Sequence, residues 1–217
     1  MAHDDTALSD GLALARGLED AVNRVVVGQA RAVHLLIVAV FARGHVLLQG
    51  DVGVGKTTLL RAMARGLGGG FGRIEGSVDL MPNDLLYHAY IDTDGRPAIE
   101  PGPLTRGGES LAIFFFNEIN RARPQVHALL LRAMAERSVS AFNKELALPL
   151  LQVFADRNRV EREETFEIAS AARDRFMMEI TIDAPTDTEQ RRPVVRDPRL
   201  HHTDPRGNQA PAGLTPE

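Results

Sequence analysis

The feature that most constrains this chain is a glycine-rich segment between an apolar run and a run that favours helix. The apolar run covers residues 45–49, and the residues after it fit G-x-x-x-x-G-K-[ST], with Gly50, Gly55, Lys56 and Thr57 at the fixed positions. Glycines let backbone N–H groups close around an anion, and the N-terminus of the following helix adds partial positive charge. The pattern predicts a phosphate-binding loop, and the flanking segments argue against an ordinary glycine-rich turn.

The side chains that end this pattern predict a nucleotide site with a divalent cation. Lys56 can reach the β and γ phosphates as a point charge, and the Thr57 hydroxyl can ligate Mg²⁺. ATP and Mg²⁺ are therefore the predicted cofactors. The nucleotide-binding residues predicted within the loop are Gly50, Asp51, Val52, Gly53, Val54, Gly55, Lys56, Thr57 and Thr58.

Composition narrows the class of protein. A chain of 217 residues suits one domain with a real core and a small addition, and its net charge of −4 provides no overall basic field for nucleic acid. The absence of cysteine excludes disulfides, thiolate zinc sites and cysteine nucleophiles. No signal-type apolar core follows Met1, and the longest apolar stretch, residues 33–42, is too short to span a bilayer. These features predict a cytoplasmic protein with no membrane span.

Strand-like and helix-like segments alternate along the chain, which predicts an α/β sandwich with a mainly parallel central sheet. The most apolar run, residues 111–116, predicts a central strand. Two insertions with hairpin signals, Asp94-Gly95 and Asn143, interrupt the alternation. The predicted helices cover residues 6–24, 29–43 (with Gly44 as the C′ residue), 56–66 and 124–136, and the further predicted strands cover 71–75, 151–155 and 178–182.

The most apolar run leads directly into a candidate for the second half of the nucleotide site. A P-loop enzyme needs an acid at the end of a buried strand to hold the metal and prepare the attacking water. Glu118 is the predicted general base or water-orienting residue, although the helix dipole would favour an acid there in any case. Asn117 can hydrogen-bond a metal-bound water but adds no negative charge, so we expect weaker metal affinity and weaker hydrolysis.

Several segments between residues 18 and 182 together carry a specific likeness. They are Val27-Gly28-Gln29, Gly44-His45-Val46-Leu47-Leu48, the phosphate loop, Pro101-Gly102-Pro103-Leu104, Asn117-Glu118-Ile119-Asn120-Arg121-Ala122, Leu130-Leu131-Arg132-Ala133-Met134-Ala135-Glu136-Arg137 and Asp174-Arg175-Phe176. In this combination the chain resembles the MoxR family of AAA+ ATPases. The resemblance implies a P-loop AAA+ three-layer sandwich that assembles into a homo-oligomeric ring, such as a hexamer, and remodels or matures protein clients. It also implies metal or cofactor insertion into enzymes and a von Willebrand factor A domain partner.

The same resemblance implies roles for residues outside the phosphate loop. Asn158 matches the polar sensor of the γ-phosphate, and Arg175 matches the arginine finger that reaches the nucleotide of a neighbouring subunit. Val27 and Gly28 match the segment near the adenine, and the hairpin insertions match elements that face the central pore and the substrate. The predicted catalytic residues are Glu118, Asn158 and Arg175, and the predicted metal ligands are Thr57 and Asn117.

Simpler interpretations of these residues stay open. Asn158 is also a common turn residue, and Arg175 could be a surface ion-pair partner of Asp174 or Glu179. The histidines lack ligand spacing and are expected to pack or to face solvent; they include His34, His45, His88 and His127.

The chain departs from the family pattern in three places. Asn117 replaces the usual Asp, and residues 156–159, Asp-Arg-Asn-Arg, replace the usual Thr-Gln-Asn-Pro. A helical lid should follow the last strand, yet six of the 12 prolines lie from Pro185 onward, with almost no apolar periodicity. The prediction is an AAA+ core over residues 1–184 and a disordered or loosely packed tail over 185–217 without a lid.

Two functions therefore compete at this point. The first is a Mg²⁺-dependent ATPase in which Glu118 positions a water for attack on the γ-phosphate. The second is a hydrolysis-impaired ATP-binding protein in which ATP acts as an assembly or regulatory ligand. A small-molecule P-loop kinase is a weaker third interpretation, since Arg175 and the hairpin insertions speak against it.

Overall fold

The computed structural model describes residues 2–26, 28–51, 53–157, 166–168 and 170–183. Within this part of the chain the helices are α1 (Ala2–Asn23), α2 (Ala30–Phe41), α3 (Lys56–Gly66), α4 (Pro82–Leu86), α5 (Pro124–Glu136) and α6 (Ser170–Arg173). The strands are β1 (His45–Gln49), β2 (Gly70–Glu75), β3 (Tyr87–Ile91), β4 (Pro97–Pro101), β5 (Leu111–Asn117), β6 (Ser138–Ala141), β7 (Lys144–Ala147), β8 (Gln152–Arg157) and β9 (Phe176–Thr181). Gly108–Ser110 and Ile119–Arg121 form short 3₁₀ turns.

Five of these strands form one parallel sheet in the order β2-β5-β8-β1-β9. Strands that pair in this sheet are distant in sequence, so their connections cross over its faces. The other four strands form two antiparallel hairpins, β3 with β4 and β6 with β7. The predicted α/β fold with a parallel central sheet and two hairpin insertions is confirmed.

The sheet separates two apolar layers, as side-chain alternation along each strand requires. Phe115 and Phe154 point into the layer that α1, α2 and α3 cover. Phe114 and Phe116 point into the layer that α5 covers, where Leu130 is also buried. Both faces of β5 are buried, which explains why its sequence is a continuous apolar run rather than an alternating one.

The carboxyl edge of the sheet positions the candidate site. Parallel strands all end at the same edge, and β8 lies between β5 and β1. The register pairs Leu48 of β1 with Asp156 of β8, and Phe116 of β5 with Ala155 of β8. Asn117, the next residue on β5, therefore lies beside Asp156.

The prediction that Gly44 is the C′ residue of α2 was wrong. Arg43 takes the left-handed conformation there, with φ of 55°. Its N–H donates to the Val40 carbonyl (2.9 Å), and the Gly44 N–H donates to the Ala39 carbonyl (2.8 Å), which is a Schellman ending. Glycine suits position 44 for a different reason, because a Cβ there would lie 2.6 Å from Sδ of Met177.

Both hairpins turn where the sequence predicts. Gly95 has φ of 75° in the turn between β3 and β4. Phe142 and Asn143 form a two-residue turn between β6 and β7 with φ of 55° and 57°, as a tight hairpin requires. The rings of Tyr87 and Phe142 lie 5.4 Å apart between centroids, so the two hairpins contact each other.

The prediction for residues 185–217 falls outside the described residues and stays a prediction. Across the ranges that the structure describes, no helix is both long enough and apolar enough to cross a membrane.

Candidate functional site: a nucleotide-binding edge

The segment between β1 and α3 has the backbone conformation of a phosphate-binding loop. Gly53 and Gly55 have φ of 84° and 91°, in the region that favours glycine over residues with a side chain. Gly50 is required by close packing instead, because a Cβ there would lie 2.2 Å from the carbonyl oxygen of Ile182. Helix α3 begins at Lys56, so its free N–H groups face the loop.

Lys56 is buried at the start of α3, with 6% of the residue exposed. Its Nζ donates a hydrogen bond to the Gly50 carbonyl (2.7 Å). The same atom lies 2.5 Å from Oδ2 of Asp156 and forms an ion pair with it. The lysine is therefore held across the loop by one main-chain acceptor and one carboxylate.

Asp156 is the residue that the sequence analysis missed as a site residue. It is fully buried, and its Oδ1 accepts a hydrogen bond from the Glu118 N–H. Burial raises the pKa of the Asp156 carboxyl, while Lys56 and the Glu118 N–H act in the opposite direction. The prediction ended the strand at Ala155, whereas β8 continues to Arg157, so Asp156 belongs to the strand and not to a loop. The signal available was an acid directly after an apolar run, like the signal that singled out Glu118.

Glu118 lies at the end of β5 in a constrained conformation, with φ of 54°. The residue is 8% exposed, and its Oε2 accepts a hydrogen bond from Nη1 of Arg121 (3.0 Å). His127 of α5 stabilises the turn that follows, since its Nε2 lies 2.7 Å from the Ile119 carbonyl oxygen and must carry the proton. Burial lowers the pKa of His127, which keeps this ring neutral.

The residues at this edge fit a magnesium ion bound together with phosphates. Mg²⁺ is usually held by one or two carboxylates plus phosphate oxygens and water, rather than by a cage of protein ligands. In the described part of the chain, no three His, Cys, Asp or Glu side chains cluster as such a cage. The Thr57 hydroxyl and the Asp156 carboxylate supply hard oxygen donors, and Oδ2 of Asp156 is buried, with an ion pair but no aligned hydrogen bond.

The segment predicted to lie near the adenine approaches the same edge. Gln29, which follows Gly28, is buried and donates from Nε2 to the Asp183 carbonyl (2.5 Å). The neighbouring Ile182 N–H donates to the Gln49 carbonyl (2.8 Å), one residue before the phosphate loop. Gly28 is thus placed close to the loop, with φ of 78°. The predicted site residues Val27, Val52 and Asn158 lie outside the described residues.

Arg175 is exposed and lies at the opposite edge of the sheet, directly before β9. Because β9 runs parallel to β1, with His45 beside Phe176, Arg175 and the phosphate loop lie at opposite ends of β1. At about 3.3 Å per residue, the five-residue β1 separates the two ends by roughly 13 Å. The structure therefore does not bring Arg175 together with the other predicted catalytic residues.

The suggested ion pair of Arg175 with Glu179 is also not formed. Glu179 pairs with Arg157 (2.5 Å) and Arg173 (3.8 Å) instead. Among the described residues, Arg175 makes no ion pair.

A parallel sheet with a phosphate loop after β1 and acids at the carboxyl edge of β8 and β5 defines a P-loop nucleotide-binding protein. Residues 45–178 match the "ATPase family associated with various cellular activities (AAA)". A solved structure of a candidate ATPase from Cytophaga hutchinsonii superposes with a TM-score of 0.74 at 28% identity, over 94% of this chain and 61% of that one.

Two relatives narrow the class further. Protein MoxR of Methylorubrum extorquens is 64% identical over 97% of this chain and 61% of its own length. Chaperone MoxR1 of Mycobacterium tuberculosis is 36% identical over 81% of this chain and 46% of its own length. The chain belongs to the MoxR family of AAA+ ATPases, and it spans less than two thirds of the length of these relatives.

Proposed function

We propose that this chain binds ATP with Mg²⁺ and hydrolyses it. The observation that carries the proposal is Lys56, a buried lysine at the start of α3 that bonds the first glycine of the phosphate loop. A lysine in this place neutralises the β and γ phosphates while the loop N–H groups and the helix N-terminus bind them. Magnesium, when bound, would neutralise charge that develops on the phosphates during transfer.

Glu118 is the proposed base. It directly follows β5, the strand next to β8, and its carboxylate is held by Arg121 rather than turned to solvent. A carboxylate at this position can accept a proton from a water and orient that water for in-line attack on the γ-phosphate. Because Glu118 is nearly buried, the attack would occur away from bulk water.

The proposal extends to assembly and clients. Arg175 cannot reach the nucleotide of its own subunit from the opposite edge, which supports a role toward a neighbouring subunit in a ring. The hairpin residues Tyr90, Ile91 and Phe142 expose apolar surface, which supports contact with protein clients. A relative is named a chaperone, and we propose a chaperone-like role in the cytoplasm for this chain as well. We also propose that the chain acts with a von Willebrand factor A domain partner and helps to insert metals or cofactors into enzymes.

The nucleotide half is tested by titrating a fluorescent ATP analogue and by measuring phosphate release. Lys56→Ala should weaken binding by at least about tenfold, because a hydrogen bond to a charged group contributes roughly 1.5–3 kcal/mol. Lys144→Ala is the matched control, because Lys144 is exposed on the β6–β7 hairpin. This variant should bind ATP as tightly as the native chain does. Failure of the native chain to bind ATP at millimolar concentration would contradict the proposal.

Asn117 favours a second candidate, an ATP-binding protein that does not turn over. Asparagine at the end of β5 brings no charge to a metal. Unmeasurable phosphate release by the native chain, restored by Asn117→Asp, would support this regulatory role. A steady rate in the native chain would rule it out.

A further inference from the structure

The site contains a buried carboxylate, Asp156, beside Asn117, the position where an acid is expected and missing. Asn117 is the last residue of β5 and Asp156 the second-last residue of its neighbour β8, each one residue beyond the pair Phe116 and Ala155. Side chains alternate along a strand, so both residues point to the face of the sheet that α3 covers. The contact between Asp156 and Lys56 of α3 agrees with that direction.

Stability does not explain this carboxylate. Burying two charges costs desolvation free energy that often exceeds the attraction between them. An apolar pair of similar volume would therefore often stabilise the core equally or more. Asp156 is fully buried and Lys56 nearly so, yet Nζ of Lys56 also bonds the first glycine of the phosphate loop. A costly charge in such a place indicates a role in binding charged groups.

Nucleotide binding changes the surroundings of Asp156. The β and γ phosphates compete for Lys56, the cation that now faces Oδ2. Oδ1 keeps the Glu118 N–H as donor, but the carboxylate then lies near phosphate oxygens of like charge. At short range and in a buried site this repulsion is strong, and a cation between the two groups would relieve it.

We infer that Asp156 supplies the negative charge toward Mg²⁺ that Asn117 does not, and thereby makes ATP binding depend on the metal. The inference rests on the proposed function. Oδ2 of Asp156 would face the cation directly or through one of its waters, with the Thr57 hydroxyl as a further oxygen donor. The carboxylate that faces the metal would thus come from β8 instead of from the last residue of β5.

The two carboxylates that flank Asn117, one along the chain and one across the sheet, fit the role less well. Glu118 is held by Arg121 and is the base of the proposed reaction. Glu75 of β2 lies beside Asn117 in the register, but its side chain is 60% exposed and pairs with Arg73 (3.0 Å). Glu75 therefore offers a matched control, a carboxylate on the other side of Asn117 that has a surface partner.

The test compares ATP affinity in Mg²⁺ with ATP affinity in EDTA, measured by titration of each variant; the ratio is the magnesium gain. Asp156→Asn should bind ATP in EDTA severalfold more tightly than the native chain, because a repulsive charge is removed. Its magnesium gain should fall by about tenfold or more, the usual loss when a group that orients a metal is removed. Glu75→Gln should keep the native gain. A purely structural role for Asp156 would weaken binding equally in both buffers.

A second variant, Asn117→Asp, tests the same inference if Asp156→Asn does not fold. Asn117→Asp should raise the magnesium gain by less than about threefold, since Asp156 already supplies the charge. A larger increase would show that the charge was missing and would overturn the inference. So would an unchanged magnesium gain in a folded Asp156→Asn chain, while ATP binding by the native chain would still support the proposed function. Absence of any ATP binding by the native chain would overturn both.

Discussion

The two edges of the parallel sheet use buried polar groups in different ways. At the amino edge, the Gln152 side chain donates to carbonyls at the end of α2, including Val40 (3.1 Å). His45 accepts from the Val153 N–H (2.9 Å) and lies 3.4 Å from the Met134 carbonyl oxygen. These groups are neutral and bond the main chain, so they serve the fold.

At the carboxyl edge the buried polar groups are charged, and two of them, Lys56 and Asp156, pair with each other. The Lys56 side chain of α3 forms an ion pair with Asp156 of β8, and Asp156 also accepts from the main-chain N–H of Glu118, the residue after β5. Main-chain partners satisfy a group permanently, whereas an ion pair at a phosphate loop can be exchanged for a ligand. The charge of a buried group, rather than its burial, therefore distinguishes the candidate site.

The largest expected effect is at the carboxyl edge. Glu118→Gln should lower the rate of phosphate release by about 10²–10⁴-fold, the range for removal of a general base. ATP affinity and melting temperature should stay close to native, because glutamine has the same shape and can still accept from Arg121. Single-turnover phosphate release and ATP titration check this. A fall in ATP affinity as large as the fall in rate would give Glu118 a binding role instead.

The amino edge should respond to pH rather than to nucleotide. Burial lowers the pKa of His45 to about 4 from 6.5. Between these pH values the unfolded chain binds more protons than the folded chain, so stability falls as pH falls from about 6.5 to about 4. The loss from this group is about 3 kcal/mol.

Urea unfolding across that pH range measures the effect. His45→Asn, which cannot titrate, should remove this part of the slope, and the exposed His88→Asn should keep it. Equal slopes in the native chain and in His45→Asn would show that His45 does not stay neutral in the folded state.

A smaller effect is expected where the backbone itself forms the carboxyl edge. Gly50→Ala would place a Cβ 2.2 Å from the Ile182 carbonyl oxygen, so the loop or β9 must shift. ATP affinity should fall by about tenfold, because a misplaced loop loses hydrogen bonds to charged oxygens. Gly11→Ala on α1 is the control, since nothing lies within 4 Å of a Cβ there and alanine favours helix. Native ATP affinity in Gly50→Ala would contradict the close packing.

The sequence predicts the local structure of the site better than the contacts between distant segments. The phosphate loop is local: consecutive residues determine its shape, and the predicted bounds of α3 and α5 are those observed. The parallel sheet followed from alternation of apolar runs and helical periodicity. The pairing of Lys56 with Asp156 is not local, since it depends on β8 inserting between β1 and β5. No sequence spacing predicts that β8 lies between β1 and β5, so the sequence alone identifies Asp156 only as a departure from the family pattern.

The placement of Arg175 has a similar cause. Its sequence context carried the family resemblance, but strand direction decides which edge it occupies, and that edge is remote from the phosphate loop. A role toward the nucleotide therefore depends on a second subunit, which one chain cannot provide.

If β8 carries the metal-facing carboxylate that β5 lacks, moving that charge back to β5 should preserve activity. The measurement is the rate of phosphate release in Mg²⁺ by Asp156→Asn and by the double variant Asn117→Asp/Asp156→Asn. Asp156→Asn should lose most of the native rate and the double variant should regain most of it, since one carboxylate would again be available to the metal. A double variant no faster than Asp156→Asn would contradict the claim.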